Sequence, residues 1–145
     1  MDRNKSFEIL KKHLADAYTL KHCLALEAIM RALAKRFSED LEKWAITGLV
    51  HDIDWDLTKD RIEEHSLKGA EILKEEGFPE DIVYEVKAHN EAHGIPHKSL
   101  MGRCLGAADN LTGLIIACAL VRPDKKLASV KPESVMKKFK EKSFA

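Results

Sequence analysis

The chain has 145 residues, 45% hydrophobic and 33% charged, the size and balance of one globular domain with a core of its own. Its 24 basic and 24 acidic side chains cancel, which removes any global electrostatic case for nucleic acid or an anionic membrane as partner. The three cysteines, Cys23, Cys104 and Cys118, are odd in number and lack CxxC spacing, so a reducing, cytoplasmic setting without disulfides is expected.

Apolar residues recur at three- and four-residue steps and no stretch alternates with period two, so the chain reads as all-α. The N-terminus MDRNKSFEILKKH is charged and lacks a secretory h-region. It starts a first helix over about residues 4–17, with Phe7, Leu10 and Leu14 inward. A second helix over about 20–36 buries Leu26, Ile29, Met30 and Leu33. Ser38 is the expected cap of a third, whose face is Leu41, Trp44, Ala45, Gly48 and Leu49, ending at Asp52.

Asp54 to Asp60 reads as a polar connection, followed by a helix over about 60–76 with Ile62, Gly69, Ile72 and Leu73 buried. Gly77-Phe78-Pro79 stops it and starts the next helix, over about 79–90. After a Gly/Pro loop, a long apolar helix covers about 99–121; its Arg103, Asp109 and Asn110 make it a poor membrane span. A basic helix over about 130–142 carries Val135, Met136 and Phe139. The expected architecture is a compact helical bundle of about six or seven helices in one domain over 1–145, with its core over about 18–122.

Six polar residues interrupt the apolar faces of this pattern: His22, His51, Asp52, His65, His89 and Asp109. Ionisable side chains are costly to bury unless paired, hydrogen-bonded or bound to metal. Asp109 is the sharpest case, because Leu105, Ala108, Leu111 and Leu114 surround it on its helix. Imidazole and carboxylate together suit Mn, Fe, Co, Ni or Zn, and carboxylates also take Mg. The set therefore points to one buried centre holding one or two ions.

The order His22…His51-Asp52…Asp109 resembles the motif of the HD-domain superfamily of metal-dependent phosphohydrolases, and within it the small HDIG-type proteins. WAITGLVHDID stands at the HD motif, EHSLKGAEIL resembles the next block, and AHNEAHGIP with GRCLGAADNLTGL resemble the last two. The resemblance implies that His22, His51, Asp52 and Asp109 ligate a first ion. His65 and His89 fall where two-metal members place further ligands, which makes Asp52 the bridge. Asn90 replaces a histidine of the cyclic-dinucleotide phosphodiesterase branch, HGIP replaces its GYP signature, and Trp55 stands where many HDIG sequences carry lysine. Cyclic-di-GMP hydrolysis is therefore disfavoured.

The implied chemistry is hydrolysis of a phosphomonoester or phosphodiester by metal-activated water, with a nucleotide as the expected substrate. Asp52, Asp54 and Lys59 are the catalytic candidates, and Lys68, His93, His97 and Arg103 the substrate-binding ones. Arg61 is a further substrate-side candidate, and Asp56 and Glu91 join Asp54 as proton-shuttle or orienting candidates, while Glu27 reads as a helix-surface or supporting residue. The expected partner is a small phosphorylated substrate, with no membrane and no nucleic acid, and a homodimer is compatible with the fold. Two alternatives stand beside this reading: a di-iron HD-fold oxygenase, and a non-catalytic nucleotide- or metal-binding sensor module.

Overall fold

Three aspartates open the first three helices. Asp2, Asp16 and Asp40 sit in extended backbone and accept first-turn N–H groups, from Lys5, from Thr19, and from Glu42 and Lys43. Each also sets a negative charge against the positive end of a helix dipole. The helices are α1 (Arg3–His13), α2 (Ala17–Phe37) and α3 (Leu41–Val50). The structure is a computed structural model and describes residues 1–142. It continues with α4 (Trp55–Thr58), α5 (Leu67–Glu75), α6 (Glu80–Ala88), α7 (Leu100–Leu120) and α8 (Pro132–Phe139), and with 3-10 turns at Glu91–His93 and Leu127–Ser129. No strand occurs among the described residues, so the all-α expectation holds.

Three local expectations change. Ser38 does not cap α3; it closes α2 in the left-handed conformation (φ 58°), and Asp40, whose carboxylate accepts two N–H groups, takes the cap. Leu41 consequently stands at the exposed start of α3 (44% exposed). The segment after Asp52 is not a plain connection, because the Asp54 carbonyl gathers Leu57 N, Thr58 N and Thr58 Oγ1 and winds α4. The next helix then starts only at Leu67, leaving Ile62 54% exposed in the turns before it.

Every residue from Trp44 to Val50 is buried, so α3 is apolar all round and lies at the centre. α2, α1 and α6 pack against it, and α5 packs on α6. Leu10, Leu26, Met30, Ile46, Leu49 and Leu73 are fully buried, each contributing about 1.5–3 kcal/mol of transfer free energy. Helix α3 approaches α2 so closely that a Cβ at Gly48 would stand 2.8 Å from the Leu26 carbonyl oxygen and 2.9 Å from Met30 Cγ. Gly77 (φ 77°) ends the α5 segment as the Gly-Phe-Pro signal predicts.

Packing divides the chain into two units, Met1–Ala108 and Asp109–Ala145. The first holds the core just described, including Met101, Leu105 and Ala108 of α7. The second comprises the rest of α7, the 3-10 turn Leu127–Ser129 and α8, where Leu111, Ile115, Val130 and Val135 help line an apolar groove. The helix α7 is long and apolar enough to cross a membrane by length and composition alone.

Candidate metal centre

Helix ends deliver most of the centre. α3 stops at Val50 and α6 at Ala88, so His51 and His89 are the residues that cap them. Each ring is fixed in the same way: His51 Nδ1 donates to the Gly48 carbonyl (2.9 Å) and His89 Nδ1 to the Val86 carbonyl (2.6 Å). Both Nε2 lone pairs are thereby left for a ligand, the tautomer a metal requires. His22 comes from the second turn of α2, and His65 from the turn before α5.

These rings surround one carboxylate. Asp52 Oδ2 stands 3.3 Å from His51 Nε2 and 3.6 Å from His22 Nε2. Its Oδ1 stands 3.3 Å from His65 Nε2 and 3.4 Å from His89 Nε2. His22 Nε2 and His51 Nε2 are themselves 3.0 Å apart. Ligand atoms that share one ion at about 2.1 Å stand roughly 3.0–3.4 Å from each other; four of these spacings fall in that range, and the His22–Asp52 one is slightly longer at 3.6 Å. Imidazole lone pairs facing a carboxylate are mutually repulsive unless a proton or a cation lies between them. The donor set therefore fits a divalent metal, and each oxygen of Asp52 faces a separate pair of imidazoles that would hold it.

The electrostatics agree. Burial pushes the Asp52 carboxyl up, but the imidazoles of His51, His65 and His89 outweigh it and hold the group well below the usual carboxylate range. Burial opposes charge on His65 as well, yet the Asp52 and Asp54 carboxylates raise it to about 9. Cys23 is buried beside His51 and Asp52, and desolvation pushes its thiol up, keeping it neutral.

The HD domain family matches residues 19–114. The chain belongs to that family. Over 94 residues the chain is 32% identical to ribonuclease Y of Nitratidesulfovibrio vulgaris; the match covers 65% of this chain and 18% of the relative. An uncharacterized protein of Methanocaldococcus jannaschii is 35% identical over 61% of this chain and 54% of its own length. A tRNA (cytidine(56)-2′-O)-methyltransferase of Thermoplasma volcanium is 28% identical over 61% of this chain and 25% of its own. The crystal structure of a predicted HD superfamily hydrolase from an uncultured Thermotogales bacterium superposes with a TM-score of 0.60 at 26% identity, covering 77% of this chain and 68% of that one. The chain thus carries an HD domain and spans 18% of the length of the ribonuclease Y it matches.

Of the residues singled out in the sequence, the HD domain brings His22, His51, Asp52, His65 and His89 together. Asp109 lies on α7 at the first position of the second unit, half-buried, with its carbonyl accepting from Thr112 Oγ1 (2.7 Å). Asp54 is fully buried behind His65 rather than in the open site. Lys68 is paired with Glu71 (2.7 Å), and Arg61 with Glu64 (2.8 Å). His93 Nε2 donates to the His65 carbonyl (2.7 Å), and His97 Nδ1 to Glu85 (2.9 Å). Lys59 and Arg103 are exposed and make no ion pair among the described residues. Asp56 accepts Ala15 N and Asp16 N between α1 and α2. Glu91 is an exposed member of the 3-10 turn. Glu27 is no surface residue: it is 8% exposed and holds Arg3 through two 2.9 Å contacts and Arg31 through one at 3.3 Å.

Sequence reasoning missed Thr58 and Glu85. Thr58 Oγ1 lies 3.4 Å from His65 Nδ1. Glu85, 2% exposed, accepts from His97, Lys98 N, Ser99 N and Ser99 Oγ. Its position four residues before His89 on one helix face was the available signal.

Proposed function

We propose that this HD domain hydrolyses a phosphomonoester or phosphodiester of a nucleotide, with one or two divalent ions from the Mn, Fe, Co, Ni and Zn group, or Mg. The observation that carries the reading is Asp52, each of whose oxygens faces two imidazole nitrogens. When bound, the ions supply an acidified water and polarise a phosphoryl oxygen. The chain's own residues do the remaining work. His51 and His89 are locked by their carbonyl partners, so their nitrogens cannot swing away. Asp109 joins as a ligand by its place in the family motif, and Lys59 and Arg103 are the cations free to meet the substrate's phosphate.

The nucleotide class is supported by relatives whose names are those of RNA enzymes, a ribonuclease and a tRNA methyltransferase. The same reading places the chain among the small HDIG-type members. It also places the protein in the cytoplasm, in keeping with its three free cysteines.

The test is turnover by purified protein loaded in turn with each metal, over nucleoside mono-, di- and triphosphates, cyclic nucleotides and short RNA. Phosphate release or bond cleavage that disappears in Asp52→Ala is the expected result; no turnover across the panel rejects the reading. Four imidazoles around a shared carboxylate also suit two irons, and oxygen consumption by the iron form without phosphoester cleavage would select that chemistry instead. Tight nucleotide binding with the ligand unchanged after long incubation would leave a sensor module.

A further inference from the structure

Directly behind His65 lies a carboxylate that the proposed hydrolysis does not use. Asp54 is fully buried, and its two oxygens have separate tasks. Oδ2 accepts the backbone N–H groups of Ser66 (2.8 Å) and Gly69 (2.9 Å), closing the start of α5. Oδ1 stands 3.1 Å from His65 Nδ1, off the line of a hydrogen bond, and no other donor is aligned on it among the described residues. A buried carboxylate oxygen without an aligned donor is costly, and His65 Nδ1, 3.1 Å away, is the donor at hand.

The segment carrying His65 is fastened on all sides. Ser66 occupies a left-handed conformation (φ 70°) that a non-glycine residue adopts only under constraint, and its hydroxyl donates to the Lys87 carbonyl of α6 (3.0 Å). His93 Nε2 and Asn90 Nδ2 both donate to the His65 carbonyl (2.7 and 3.3 Å). The backbone is thus fixed, and the ring's remaining freedom is which nitrogen carries the proton. In the letters HDIG the fourth position is glycine; here it is Asp54.

We propose that Asp54 is a positioning residue that fixes His65 as an Nε2 ligand, and so decides whether the Oδ1 side of Asp52 holds an ion. This rests on the two-ion form of the centre described above. A carboxylate accepting Nδ1–H leaves the Nε2 lone pair pointing at Asp52, the carboxylate–histidine–metal arrangement that orients a ring and raises its basicity. His22, His51 and Asp52 Oδ2, which would hold the other ion, make no contact that passes through Asp54.

Asp54→Asn separates the two tasks. The Ser66 and Gly69 donors force the amide oxygen into the Oδ2 position, so the amide NH2 must face His65 Nδ1. A donor there makes Nδ1 the acceptor and places the proton on Nε2, blocking ligation. The helix start survives, because its acceptor is kept.

The experiment is 15N NMR of the histidine rings in the zinc-loaded full chain, with zinc counted per chain. Wild type is expected to show His65 protonated at Nδ1 and coordinated at Nε2. Asp54→Asn is expected to show Nε2–H on His65 and to lose one ion per chain, with the His22 and His51 signals unchanged. Coordination of His65 through Nε2 in Asp54→Asn, or its absence in wild type, overturns the proposal. Thr58→Val guards against a folding failure of Asp54→Asn. It leaves Asp54 as the partner of Nδ1, so the wild-type tautomer is expected, and a switched tautomer would assign the role to Thr58 and reject Asp54. Failure of the hydrolase reading shows separately, as absent turnover with the histidine spectra as expected.

Discussion

His22 and His51 come from different helices, yet their Nε2 atoms stand 3.0 Å apart and both face Asp52 Oδ2. Two imidazoles at this spacing share either a proton or a cation. His22→Ala removes one side of the pair from a position whose side chain is only partly buried, so the fold should hold. Ion affinity should drop by about 100-fold or more, measured by competition with a chromophoric chelator. Retention of wild-type affinity would remove His22 from the centre.

Metal binding should release a proton. His65 is raised to about 9 by Asp52 and Asp54 against the effect of burial, so at neutral pH an ion must displace its proton. Affinity at that half of the centre should rise about tenfold per pH unit up to about pH 9 and then level off. Calorimetry in buffers of different ionisation enthalpy reads the released proton directly.

The same group sets the pH dependence of the metal-free protein. A folded value raised from 6.5 to about 9 gives stability that is complete below pH 6.5 and is lost as pH rises through about 9, on the order of 3 kcal/mol. Asp52 works in the opposite sense: its depressed value gives stability that is present above its ordinary 3.8 and is lost in more acidic solution. Urea midpoints of the metal-free chain should therefore be highest between about pH 4 and 6.5. A midpoint that rises from pH 6.5 to 9 would contradict the His65 assignment.

Glu85 should matter for stability rather than for the ion. Its buried carboxylate accepts four hydrogen bonds from residues 97–99, and Gly102 of α7 lies so close that a Cβ there would overlap Glu85 Oε2. Glu85→Ala strands those donors and should cost about 3 kcal/mol, read from chemical denaturation. Zinc stoichiometry should be unchanged.

Asp109 tests how far the motif carries. Asp109→Ala should weaken the first ion by about 100-fold while leaving His65 and His89 coordinated, as seen in the NMR of their rings. Unchanged affinity would show that the family's last ligand is not used in this chain.

The centre was legible because polar residues on apolar helical faces violate the hydrophobic pattern, and His22, His51, Asp52, His65 and His89 are all such violations. The long helices were legible for the same reason, within about four residues at their ends, whereas α4 and the start of α5 were not. Their caps were less so: Ser38 and Asp40 are both good N-cap residues, and the choice depends on where the chain must turn. His65 was placed on a helix, whereas the Asp54 carboxylate holds Ser66 and Gly69 and delays α5 to Leu67. Those two bonds join residues twelve and fifteen positions apart, and no local pattern announces them. Glu27 and Glu85 were hidden similarly, since a glutamate on a helix reads as solvated until its partners arrive from elsewhere in the chain.

Gly48 faces the Leu26 carbonyl one turn before His51, and Leu26 lies one turn after His22. The missing side chain therefore sets the gap between two helices and, with it, the bite of the first ion. A substitution that widens α2 from α3 would move His22 away from His51 and so change the field at an ion held between them. The absorption spectrum of a cobalt-substituted protein would then report sub-ångström changes in core packing, making the ion a gauge of how the surrounding helices are seated.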